Sequence, residues 1–140
     1  MAGKKKKNKN QGPMDPKTRE HLEECVQTIK EFIEKFRQFY WQFRRAYLGE
    51  PVTTDAERKF LRMKSEIARH HQYLFEQVGR DYIGGTVLTD FLRTVVNLEK
   101  VSKTQSSNYY KIEKFWHEID LNLEDSLVSI QFRLDQEDQS

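Results

Sequence analysis

Residues 15–48 read DPKTREHLEECVQTIKEFIEKFRQFYWQFRRAYL, and this stretch decides the fold. Asp15 followed by Pro16 predicts a helix start: a side-chain acceptor for free amides, then a residue with a preset φ and no amide to satisfy. Leu22, Val26, Ile29, Ile33, Phe36, Tyr40, Phe43 and Tyr47 recur in alternating steps of four and three. That is a heptad seam of the coiled-coil kind, held for more than three heptads. At about 100° per residue, Phe32, Phe36, Phe39, Tyr40, Phe43 and Tyr47 fall within roughly a 100° arc. Trp41 falls roughly 180° from Phe32 on the same count, among Arg37, Arg44, Arg45 and Leu48. One face therefore feeds a core, and the opposite face offers an anchor to something else. Gly49 and Pro51 end the helix.

Three further amphipathic stretches follow. Thr53 or Thr54 is the expected cap of a second helix, with Asp55 and Glu57 in its first turn and Phe60, Met63, Ile67, His71, Leu74 and Val78 as its apolar stripe. Gly84-Gly85 breaks it. Thr86 is the expected cap of a shorter third helix carrying Leu88, Phe91, Leu92, Val95, Val96 and Leu98. Residues 103–108, KTQSSN, read as a polar loop, with Ser106 or Ser107 capping a fourth helix. The fourth stripe is Ile112, Trp116, Ile119, Leu123, Leu127, Ile130 and Leu134. Leu121, Val128 and Phe132 make a second strip roughly opposite it. This helix is read as continuous past Asn122. No strand alternation, hairpin dipeptide or repeat competes with the helical reading.

The expected architecture is all-α: an antiparallel four-helix bundle with one long first helix. That helix, at about 1.5 Å per residue, would be roughly 50 Å long and would outrun its neighbours. The expected boundaries are a disordered basic tail over 1–14, a helical domain over 15–134 and an acidic tail over 135–140.

Composition narrows the function classes. Of 140 residues, 36% are hydrophobic and 33% charged, a balance that suits slender helices with one apolar stripe each. No apolar run approaches a membrane span or a signal segment. One cysteine, Cys25, excludes an intramolecular disulfide framework and fits a reducing compartment, so a cytoplasmic location is expected. The net charge of +2 hides a segregation. Lys4, Lys5, Lys6, Lys7 and Lys9 crowd the first tail, and Asp135, Glu137 and Asp138 the last, while the body between is neutral.

Clustered lysines on a tail with little apolar content bind phosphate backbones, RNA or DNA, with little sequence preference. Trp41 with Arg37, Arg44, Arg45 and Leu48 has the make-up of a protein hot spot. Leu121, Val128 and Phe132, at i, i+7 and i+11, suit partner-helix packing. A protein partner or a second copy is therefore expected on these residues. The rival reading is a helical enzyme, metal-dependent or phosphotransferring. Its candidates are Glu66 with His70 and Glu113 with His117, each pair four residues apart; the di-iron bundle pattern uses three-residue spacing instead. His21 with Cys25 has ligand chemistry but lacks third and fourth ligands. His70-His71 invites phosphotransfer, yet His71 lies in the core stripe. With no phosphate loop and no nucleophile beside a base, neither metal nor cofactor is expected. The sequence reading is a non-enzymatic interaction or assembly protein with a nucleic-acid-binding lysine tail. A structural assembly subunit with no nucleic-acid role is the third reading.

Overall fold

The computed structural model describes residues 16–79, 82 and 85–138. The tail over 1–14, the expected cap Asp15 and the Gly84 break lie outside them. Among the described residues the chain is all-helical, with five helices and no strand: α1 Pro16–Tyr47, α2 Thr54–Val78, α3 Gly85–Thr94, α4 Leu98–Ser102 and α5 Ser106–Asp138. No helix among them is long and apolar enough to cross a membrane.

The aromatic stripe of α1 is the spine of the core. Phe32, Phe36, Phe39 and Phe43 are fully buried, with Leu22, Cys25, Ile29, Ile33 and Ala46 beside them. Phe39 stacks on Phe60 of α2, ring centroids 4.6 Å apart. Phe36 stacks on Trp116 of α5 at 5.1 Å and meets Phe91 of α3 edge-on at 5.8 Å. The Trp116 indole donates to the Phe36 carbonyl at 3.2 Å, so the buried N–H has a partner. α1 thus packs on α2, α4 and α5, while α3 packs on α2 and α5.

Rising numbers on α1 meet falling numbers on α5. Arg37 pairs with Asp120, Arg44 with Glu113, and Tyr47 stacks on Tyr109 at 3.6 Å. The second long helix is what the expected length mismatch overlooked. At 33 residues α5 matches the 32 of α1, and burial on α1 continues from Leu22 to Ala46. α1 is covered along its length, so an uncovered end gives no reason to expect a partner.

Local chemistry accounts for the helix ends. The Thr53 hydroxyl accepts from the Ala56 amide at 3.0 Å, an N-cap for α2. α1 closes with Gly49 at φ 107°, and the Glu50 amide reaches back to the Arg45 carbonyl at 3.0 Å. Two expected caps fall inside their helices: α3 already starts at Gly85 and α5 at Ser106. α5 runs unbroken through Asn122 and on to Asp138, into the acidic stretch.

The expected third helix is two helices. α3 stops at Thr94, and the short α4 starts after Asn97. Three side chains hold this break open. The Asn97 carboxamide accepts from the Lys100 amide at 2.8 Å. The Glu57 carboxylate, from the first turn of α2, accepts from the Leu98 and Glu99 amides at 2.9 and 3.2 Å. Lys64 donates to the Val96 carbonyl at 3.2 Å. Val95 and Leu98 stay buried through the break while Val96 turns outward.

Candidate functional site

Of the two surfaces that the sequence separates, the one on α1 reaches α5 through Arg37 and Arg44, along the seam between these helices. The seam is built from ion pairs. Arg37 Nε donates to Asp120 Oδ1 at 3.3 Å, and Arg37 Nη2 to Glu124 Oε1 at 2.5 Å. Two turns further on, Arg44 pairs with Glu113, which also accepts from the Tyr40 hydroxyl at 3.1 Å. Burial opposes the Arg37 charge, but Asp120 and Glu124 outweigh it and hold its pKa above the ordinary value. Burial, then Glu113, raises the Tyr40 pKa, so its phenol stays protonated and donates.

Rings bridge the seam. The Tyr40 ring lies 5.5 Å from Trp41 on its own helix and 5.9 Å from His117 on α5. His117 is one turn before Leu121. Further along, Lys30, Ile33, Glu34 and Arg37 of α1 and Glu124, Leu127 and Val128 of α5 line an open groove of about 320 Å³.

Apolar side chains stand out from this seam. Trp41, Leu48, Tyr110, Leu121, Val128 and Phe132 are between 55% and 70% exposed, more than Leu61, Tyr73, Phe75 and Val96 elsewhere on the fold, which reach 41–52%. Tyr110 was missed from the sequence. Its signal was present, because it precedes Leu121 by the same eleven residues by which Phe132 follows it.

The arginines around Trp41 have different settings. Arg37 and Arg44 are committed to α5 acids, so they shape the seam. Arg45 points away from it and pairs with Glu50 at 3.4 Å. The lysines Lys4, Lys5, Lys6, Lys7 and Lys9 lie outside the described residues.

The residues of the enzyme reading do not converge. Glu66 pairs with Lys35 at 3.2 Å, and the His70 ring meets Phe32 edge-on, both at the α1–α2 seam. Glu113 and His117 stand at the α1–α5 seam, around another side of α1. Among the described residues no three His, Cys, Asp or Glu side chains gather in a metal-holding group. His21 Nε2 lies 3.0 Å from the Gln77 carbonyl and 3.7 Å from the buried Cys25 sulfur. His71 is buried, with Nδ1 2.8 Å from the Tyr82 hydroxyl and Nε2 3.4 Å from Thr89 Oγ1. Burial lowers the pKa of both His70 and His71. These contacts join helices and give His71 no open approach.

What the seam can do follows from its make-up. A row of large apolar side chains, held rigid by a buried core on one side and bordered by charge on the other, removes apolar surface from water when another surface covers it. Comparison with protein-family models, curated proteins and solved structures finds no match to this chain.

Proposed function

We propose that this chain is a non-catalytic interaction protein. Its helices form an antiparallel bundle in which α1, α2, α3 and α5 are the principal members and α4 is an insertion. The outer α1/α5 seam docks on protein, and Lys4 to Lys9 hold RNA or DNA through counterion release. One observation carries the docking half: the six most exposed large apolar side chains among the described residues all lie on α1, directly after it or on α5. Trp41 is the anchor among them, a large ring at a rigid position bordered by Arg37 and Arg44.

The test is a photo-reactive residue in place of Trp41, in the full chain, within the cell that makes the protein. Adducts are expected, and they should fall away when Leu121 is replaced by Asp. The same probe at Arg58, on the far side of α2, should give few. Equal yields from the two positions, or yields indifferent to Leu121, refute a docking role for the seam.

A further inference from the structure

The exposed row on α5 is evenly spaced about Leu121, with an aromatic residue at each end and Lys114 mirrored by Val128. Tyr110 and Phe132 lie eleven residues either side of it, Lys114 and Val128 seven, and His117 and Asp125 four. A twofold interface demands such an arrangement, because residue i must meet residue j of the second copy while j meets i. Placing the axis at Leu121 and running a second α5 antiparallel sets Leu121 on its own counterpart. Tyr110 then faces Phe132, an aromatic pair at each end, about 33 Å apart along the helix.

Charge follows the same symmetry. His117 and Lys114 lie on one arm, and Asp125 on the other, all exposed. In antiparallel register Asp125 of one copy comes level with His117 of the other and within about one turn of Lys114. Lys114 and Asp125 have no ion-pair partner among the described residues of this chain. Of the acids on the arm of His117 and Lys114, Glu113 and Asp120 pair with arginines of α1, and Glu118 stands about 60° round the helix from Leu121, toward the edge of the contact. A parallel pairing would set each arm against its like.

From these observations we infer that the occupant of the seam is a second copy of this chain, docked α5 against α5, antiparallel, with its twofold axis at Leu121. Trp41, bridged through Tyr40 to His117, borders the contact near the axis. The inference rests on the docking reading above and names its partner.

Sedimentation of the full chain should give a dimer mass, and Leu121→Asp should give a monomer with unchanged helical circular dichroism. Two carboxylates at the axis are expected to raise the dissociation constant about a hundredfold or more. Register is read by cross-linking. Leu121→Cys should oxidise to a covalent dimer, whereas the parent chain should not, since its one thiol, Cys25, is buried. Tyr110→Cys and Phe132→Cys should each fail alone and cross-link when mixed. Cross-linking of each alone, and not of the mixture, would overturn the antiparallel register. A monomer at all concentrations, with no cross-link at position 121, would overturn the second copy as occupant. Adducts from the Trp41 probe to a different protein would then leave the docking reading standing; the absence of both would remove the two together.

Discussion

Two aromatic residues five apart on α1 have opposite settings, and their substitution separates stability from association. Phe36 is fully buried, stacked on Trp116 and edge-on to Phe91. Phe36→Ala should cost about 3–5 kcal/mol in unfolding free energy, because the cavity spans a three-helix junction that cannot collapse from one side. Trp41 meets the Tyr40 ring on its own helix and is 55% exposed. Trp41→Ala should therefore change the unfolding free energy, from urea titration, by less than about 1 kcal/mol while weakening association. A large loss of stability from Trp41→Ala would show that the ring belongs to the core. His70 and His71 allow a second residue-level prediction. Burial lowers both folded pKa values below 6.5, so the unfolded chain takes up their protons first as pH falls. The stability they contribute is full above pH 6.5 and is lost as pH drops toward their folded values. Urea midpoints taken from about pH 7.5 down to about pH 5.5 should fall, and His71→Gln should flatten part of that slope. A slope unchanged by His71→Gln would show that His71 titrates alike in both states.

At the scale of elements, the break between α3 and α4 shows where sequence reading stops. The long stripes were legible because a helix with one buried face writes its period directly into the sequence; the stripes from Leu22 to Tyr47 and from Ile112 to Leu134 are buried or half-buried at every position. α4 has five residues, too few to display a period, and its start depends on a carboxylate forty-one residues away. The local sign was Asn97, an N-cap residue set after the β-branched pair Val95-Val96. Glu57 was read only as a favourable charge in the first turn of α2, since nothing local points it at another helix. Asn97→Ala should cost about 1 kcal/mol, and Glu57→Ala about 1.5–3 kcal/mol for the two charge-assisted bonds it loses. Because both cap the same short helix, the double variant should cost less than the sum. Full additivity in a double-mutant cycle would show that they act on separate units. The candidate site was legible in parts for the same reason. Each half of the seam carries its own helical signal, whereas their meeting across Arg37–Asp120 and Tyr40–His117 is a long-range fact with no local trace.

At the scale of the whole molecule, the first and last stretches of the sequence carry opposite charge. Pairs along the seam run from Tyr47–Tyr109 through Arg44–Glu113 to Arg37–Asp120, so α5 heads toward the start of α1 as its numbers rise. The lysines precede Pro16 in the sequence, and Asp135 lies on α5 in that same direction. On the proposed function, a polyanion bound by the lysines competes with the chain's own acids. Five lysines bound to duplex phosphates predict a slope of log affinity against log salt of up to about −4.5, and deleting residues 2–10 should abolish most of it without moving the helical melt. Replacing Asp135, Glu137 and Asp138 by their amides should act in the opposite sense, tightening binding most at low salt, where screening is weakest. The measurement is a fluorescence titration of single-stranded RNA and duplex DNA against each variant over a salt series. Tighter binding that is equal at all salt concentrations would exclude charge competition as the cause. Unchanged binding after the 2–10 deletion would remove nucleic acid from the proposed function and leave the seam as the chain's working surface.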